Sequence, residues 1–350
     1  MDPKASPGAL SFTPLRVRNL ELRNRLVLPP MCQYGAREDG HVTPYHLAHY
    51  GARALGGMGL VVLEATAIHP DGRISGNDLG LWSREQIPGL RSIAEIVSYN
   101  GAAPGIQIAH AGRKAWRHVK RLVAPSAVAF SRDHAVPNAL TITEISALVQ
   151  EFAQAALYAW EAGFKVIEIH AAHGYLLHEF LSPLANNRTD EYGGCGENRL
   201  RLLREVVRSC RHALPEEAVL TVRISGAEFS GTEHEYTPKD AAGIAAALAA
   251  DGIDAIHVSG GGVLPVRPQV WPGYQLGYAK QVKQVVSVPV IGVGILGKPE
   301  LVEFALREGY CDLVAVGRAA LADPHWPITA ARSLGAELPV PEHMRLNLSR

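Results

Sequence analysis

Apolar and polar positions along this chain repeat one pattern eight times. Short runs rich in Val, Ile and Leu recur as RLVLPPM, GLVVLEA, GIQIAH, KVIEIH, VLTVRIS, DAIHVSG, VPVIGVG and CDLVAVG. Each has the length and composition of a strand. Behind each comes a stretch that suits a helix. Residues 141–163 carry apolar positions at helical spacing and stop at Gly163; residues 237–252 open on Thr-Pro and stop at Gly252. Residues 298–309 have Pro299 in the first turn and Gly309 past the end. Strand then helix, eight times over, predicts a parallel sheet closed on itself: an α/β fold of the (β/α)8, or TIM, barrel type. The stretch FTPLRVRNLELRNR alternates and predicts an N-terminal β-hairpin that caps the bottom. No Pro/Ser-rich linker divides the chain, so residues 1–350 are expected to form one domain, with residues 1–10 as a leader.

An open, doubly wound sheet competes with the barrel, because Gly292, Gly294 and Gly297 spell G-x-G-x-x-G between a strand and a helix. A dinucleotide fingerprint of that kind opens a βαβ unit and has an acid at the end of the next strand. Here it follows the seventh run, and the next ends in Gly317-Arg318. In a barrel, the loops after strands 7 and 8 commonly hold a phosphate. GVGILG and VGR therefore read as a phosphate cradle, with Arg318 as its fixed cation.

Composition narrows the function classes. The 350 residues are 47% hydrophobic and 19% charged, with a formal net charge of zero. No global basic field invites nucleic acid or an anionic membrane. No apolar run approaches the roughly 20 residues of a membrane helix. The start, MDPKASPGALSF, lacks a secretory pattern. Cys32, Cys195, Cys210 and Cys311 are scattered, which argues against a local zinc or iron–sulfur site and fits reduced thiols in a cytoplasmic enzyme.

Barrel active sites lie at the C-terminal ends of the strands. The first run ends in Pro29, Pro30, Met31 and Cys32, with Tyr34 beyond; the second carries Glu64 and Ala65, the third Gln107 and His110. In the fourth, alternation puts Val166, Glu168 and His170 on the inner face and Ile167 and Ile169 against the helices. His173 follows one turn later, then Tyr175. Three readings compete for the pair: two satisfied structural histidines, a metal site short of a third ligand, or two N–H donors on a substrate carbonyl. Under the last, Tyr175 is a general acid. Arg223 in LTVRIS is either half of a buried ion pair, with Glu168 or Glu64, or a cation beside a cofactor ring that gains charge on reduction. Gln107 is a packed core amide or an edge that reads a planar heterocycle. Cys32 is a buried thiol or one facing that ring, and Tyr34 is packing or pocket lining. Phosphate at one end, with an amide and a cation along the middle, outlines a flavin mononucleotide, FMN. The rival functions are a metal-dependent barrel hydrolase using the histidine pair and an FMN barrel with other redox chemistry.

At these residues the chain resembles the old yellow enzyme family of FMN-dependent ene-reductases, in its thermophilic-like, xenobiotic-reductase branch. The resemblance runs from FTPLRVRNLELRNRLVLPPMCQY to LADPHW and includes EATAIHPDGRISGNDLGLWS, GIQIAHAGRKA, IEIHAAHGYLLHEFLSPLANNRTDEYGGCGENR and VAVGRAALADP. It implies FMN contacts from Pro29, Pro30, Met31, Cys32, Ala65, Gln107 and Arg223, with the phosphate against Gly294, Gly317 and Arg318. It implies His170 and His173 as the carbonyl-binding pair, Tyr175 as proton donor, Tyr34 as a pocket residue and Cys32 as a tuner of the flavin potential. The implied reaction takes hydride from NADPH, ahead of NADH, and reduces alkenes activated by a carbonyl or nitro group. The resemblance also implies a homodimer or homotetramer, with the tail 335–350 at an interface and Arg345 reaching a neighbouring active site. The cations of the short basic segment after the third run, RKAWRHVKRLVAPSAVAF, are either a solvated face or a contact for the donor's phosphates.

Overall fold

The computed structural model describes residues 8–116, 118–342, 344 and 345. Eight parallel strands close into a barrel: β1 (Leu26–Leu28), β2 (Leu60–Ala67), β3 (Ala103–Ala109), β4 (Val166–Ala171), β5 (Val219–Ser225), β6 (Ala255–Ser259), β7 (Val290–Gly292) and β8 (Leu313–Ala315). They stand in sequence order around the ring, with β8 pairing β1. Each coincides with one of the eight apolar runs. All three predicted helices form. Thr141 caps Ile142–Glu161 through a capping box with Glu144, and Thr237 caps Pro238–Ala250 through Asp240. Past Ile142–Glu161 the chain turns at Gly163 with φ +100°, a conformation that costs glycine nothing.

The strand period of two sorts side chains into two cores. Outward residues such as Ile106, Ile108, Ile167 and Ile169 pack with the helices, while inward Val27, Leu60, Val62, Val166 and Leu313 form a separate cluster at the bottom of the barrel. The hairpin, Leu15–Val17 paired antiparallel with Leu20–Leu22, closes that end by adding Val17 and Leu22. Burying each such aliphatic side chain is worth about 1.5–3 kcal/mol, so the floor is a dry, rigid plug. Of the expected leader, residues 1–7 lie outside the described residues, and Leu10 opens a 3-10 turn, Leu10–Phe12, whose Leu10 and Ser11 N–H groups donate to Glu303.

Candidate active site at the C-terminal mouth of the barrel

Above the apolar floor the inward residues become polar. Glu168 on β4 accepts from Gln107 Nε2 on β3 at 2.8 Å and from His257 Nδ1 on β6 at 2.9 Å. Burial alone would raise the Glu168 carboxyl, yet His257 and then Arg223 hold it below its usual value. His257 itself is held down by burial and by Arg223, so the pair is a carboxylate and a neutral imidazole that donates from Nδ1. The sequence offers Glu168 or Glu64 as an ion-pair partner for Arg223, against a role beside a cofactor ring, and His257 is not among the candidates. Alternation in DAIHVSG places Ala255, His257 and Ser259 on one face, which was the available signal.

Arg223 consequently has little to bind. Its Nη1 lies 3.4 Å from Pro30 O, and its buried Nε has no partner among the described residues. A buried guanidinium with an idle donor is an aimed cation, since such groups are otherwise satisfied.

Beside it stands the histidine pair. The Ala172 N–H donates to His170 Nδ1 at 3.3 Å, so a neutral His170 carries its proton on Nε2. His173 is fixed from the opposite nitrogen: its Nε2 lies 2.7 Å from Ser259 Oγ. Its free nitrogen is Nδ1, and Nδ1 carries the proton when the Ser259 hydroxyl donates to Nε2. The rings meet edge to face, with centroids 5.2 Å apart, and Tyr175 is 5.0 Å from His170. Burial first, then Arg223, pushes both histidines well below their usual range, so both are neutral donors. Burial holds the Tyr175 phenol well above its own range, so it keeps its proton.

The backbone explains why the cluster follows this strand. His173 has φ +59°, a strained conformation for a residue with a Cβ. Three contacts hold it. Its N–H donates to Ser225 Oγ at 3.0 Å, and Lys114 Nζ donates to both His173 O (2.8 Å) and Gly262 O (3.0 Å). Gly174 then lies against Gly262 so closely that a Cβ on it would sit 2.1 Å from Gly262 O. Lys114, Ser225 and the Gly262 contact were not anticipated from sequence, because each depends on a loop brought over from another strand.

Lys114 links this geometry to pH. Burial lowers its pKa from 10.5 to about 8, and Nζ also lies 4.9 Å from the Tyr175 ring centroid. Its folded value is below its unfolded one, so burying the ammonium costs stability at neutral pH, and the cost is relieved as pH rises from about 8 to 10.5. The clamp on His173 weakens as pH rises through about 8. Catalytic efficiency, kcat/KM, on an enone is therefore expected to stay level from about pH 6 to 7.5 and to fall through about 8, with no acid limb from the neutral histidines. Lys114→Arg should move that limb upward, because a guanidinium stays charged. An alkaline limb identical in the two proteins would remove Lys114 from the pH dependence.

The end of β1 is held from behind. Glu64 accepts from Gln33 N–H at 2.7 Å and from Tyr50 O–H at 3.0 Å, with His46 Nε2 at 3.4 Å. Burial and the nearby carboxylates Asp78 and Glu64 push the Cys32 thiol up to about 12, so it is a neutral thiol, and Tyr34 hydrogen-bonds to it. Ala65 is buried where the β2–β3 register shifts.

Pro29, Met31, His173, Arg223, Gly294, Gly317 and Arg318 line a single cavity of about 650 Å³, within the range of about 300–1,000 Å³ usual for cofactor sites. His170 stands beside it through its ring contact with the lining His173, Tyr175 through His170, and Cys32 follows the lining Met31 in the chain, while Gln107 is bonded to Glu168, outside the lining. At its far end a Cβ on Gly317 would lie 3.2 Å from Met31 Sδ, and Gly294 has φ +132°. Arg318 opens the short helix Arg318–Ala322, the barrel's usual phosphate position. Arg345 lies elsewhere, ion-paired with Glu337 beside Phe12 and Arg23. Among the described residues no group of three His, Cys, Asp or Glu is placed to hold a metal ion.

The residues fit FMN: an idle buried guanidinium at mid-cavity, glycines pressed against the wall, and a cation at the phosphate end. Fold and site together define a flavin-binding (β/α)8-barrel oxidoreductase. Residues 11–337 match the model of the NADH:flavin oxidoreductase / NADH oxidase family, and the chain belongs to that family. It is 44% identical over 331 residues to an NADPH dehydrogenase of Bacillus subtilis, covering 94% of this chain and 96% of that one. Among solved structures it resembles morphinone reductase (TM-score 0.80, 28% identity, 98% of this chain and 94% of that one). It also resembles a 2-naphthoyl-CoA reductase (TM-score 0.88, 25% identity), spanning 95% of its own length but about half, 53%, of that longer chain. Among the described residues no helix is long and apolar enough to cross a membrane.

Proposed function

We propose that this protein is an FMN-dependent, NADPH-oxidising ene-reductase that reduces the C=C bond of α,β-unsaturated carbonyl or nitro compounds. The observation that carries this reading is the histidine pair, anchored through opposite ring nitrogens. His170 has Nε2–H to offer, and His173 has Nδ1–H when the Ser259 hydroxyl donates to its Nε2, both neutral beside a phenol that keeps its proton. Two neutral donors stabilise negative charge as it grows on an oxygen without protonating it beforehand. They hold the substrate oxygen and draw electron density from the β-carbon, and Tyr175 delivers a proton to the α-carbon. Bound FMN supplies the hydride chemistry at the β-carbon. Gln107, Ala65 and the Pro29–Cys32 segment would hold the flavin ring, Arg223 would offset the negative charge it gains on reduction, and Gly294, Gly317 and Arg318 would hold its phosphate. Tyr34, 55% exposed at the mouth, lines the substrate side.

NADPH is the expected donor, ahead of NADH, in keeping with the names of the relatives. Activated alkenes are the partners; the zero net charge gives no basis for nucleic-acid or membrane partners, and a cytoplasmic setting fits the scattered, unpaired thiols. The single-domain reading of residues 1–350 belongs to the same proposal. So does a homodimer or homotetramer: Arg345 is far from its own cavity, so any part it plays at an active site belongs to a neighbouring copy.

An anaerobic titration tests the reading. NADPH should bleach the visible flavin bands of the purified protein, and cyclohexenone should restore them. A colourless protein, or bands that NADPH leaves unchanged, would refute it.

A further inference from the structure

Among the described residues, three arginines, Arg223, Arg267 and Arg318, line the cavity, and no carboxylate does. Glu168, one layer below, offsets Arg223 in part. On the proposed function, FMN accounts for Arg223 at its ring and Arg318 at its phosphate. Arg267 remains. It sits at the rim on the loop between β6 and the helix Leu276–Lys283, exposed, with no hydrogen bond or ion pair among the described residues.

The surroundings of Arg267 differ from those of a solvated surface cation. Val266, Val270 and Trp271 beside it are 44%, 53% and 57% exposed, a strip of large apolar side chains at the cavity edge. Such a strip marks a surface that something covers. Pro265, Pro268 and Pro272 punctuate the loop, so the guanidinium is carried on a backbone with few alternatives. Meanwhile, three cations of the basic segment after β3 are already committed, and a fourth, Lys120, is exposed and does not line the cavity. Arg113 donates to Val128 O and Val263 O, Lys114 to His173 O and Gly262 O, and Arg121 pairs with Glu144; Arg117 lies outside the described residues.

We infer that Arg267 binds a phosphate group of the nicotinamide dinucleotide donor while the nicotinamide ring lies deeper in the cavity. The inference rests on the NADPH-oxidising reading. It adds the residue that recognises the anionic part of the donor, and it moves that role from the basic segment to the β6 loop. The match is chemical: a ligand that must enter a flavin cavity ring first leaves its phosphates at the mouth. A planar cation there meets them with paired N–H donors. The phosphate is either the 2′-phosphate or the pyrophosphate, and the two donors distinguish them.

The experiment uses FMN-loaded wild-type, Arg267→Gln and Arg267→Lys proteins. Binding of NADP+ to the oxidised holoenzyme is measured by calorimetry, KM is measured for NADPH, NADH and cyclohexenone, and FMN affinity is measured from quenching of free flavin fluorescence. Arg267→Gln is expected to weaken NADP+ and raise the NADPH KM by about 5–20-fold, the range for a partly exposed charge-assisted contact. FMN affinity and the cyclohexenone KM should stay unchanged, and Arg267→Lys should recover part of the loss. A rise for NADPH alone identifies the 2′-phosphate, and an equal rise for NADH identifies the pyrophosphate. Unchanged donor binding, a loss confined to FMN affinity, or an equal rise in the cyclohexenone KM each overturns the inference while leaving the function standing. A wild-type protein that NADPH cannot reduce overturns both.

Discussion

Replacing His170 with alanine is expected to lower kcat/KM for cyclohexenone by about 10²–10³-fold, the usual effect of deleting one preorganised donor from a developing oxyanion. The reason is geometric. His170 offers a single usable proton, on Nε2, because Nδ1 accepts from the Ala172 N–H. No other donor can take its place, since His173 is oriented by Ser259 and by a strained backbone. Tyr175→Phe should be the milder change. A general acid is typically worth about 10²–10⁴-fold, but water entering the mouth can protonate carbon in part, which places this variant at the low end. Steady-state rates on the FMN-loaded proteins, with flavin content checked by absorbance, decide the matter. A Tyr175→Phe protein slower than His170→Ala would reverse the assigned roles.

Arg223→Leu is expected to weaken FMN binding by about 10–150-fold, the equivalent of about 1.5–3 kcal/mol for a lost hydrogen bond to a charged group. The side chain is buried, has an unpartnered Nε and points into the cavity, so its removal forfeits an interaction that nothing else in the wall supplies. It also withdraws a positive charge that helps hold Glu168 ionised. Arg223→Lys should restore the charge but only part of the affinity, because an ammonium lacks the planar fork. The check is a titration of apoprotein with FMN, followed by fluorescence quenching. Wild-type affinity in Arg223→Leu would reduce Arg223 to an electrostatic partner of Glu168.

Much of this arrangement is legible in one dimension because it depends on period. A strand alternates with period two, so VIEIH in KVIEIH declares its inner face, and the structure keeps Val166, Glu168 and His170 inside and Ile167 and Ile169 out. Caps and stops are equally local: Thr141 with Glu144, Thr237 with Asp240, and glycine after the helix. Eight such units in order leave few topologies other than a closed barrel, and the ends of the strands then name the site.

Partner choice is not periodic, and there the sequence falls silent. Glu168 could face Arg223 or His257 from the same register; packing across the barrel decides for His257 and leaves Arg223 unsatisfied. Which nitrogen of each imidazole donates depends on Ala172 for one ring and on Ser259, 86 residues away, for the other. Lys114 looks like one more cation in a basic run until the fold brings two carbonyls to it, and Arg267 looks like another until the cavity shows no acid facing it. Composition, strand period and the strand-end residues thus determined the barrel and pointed to the flavin and to the candidate reacting side chains. Protonation states, tautomers and the uncommitted charge were left to the tertiary structure, because each depends on atoms that meet only after the ring of strands closes.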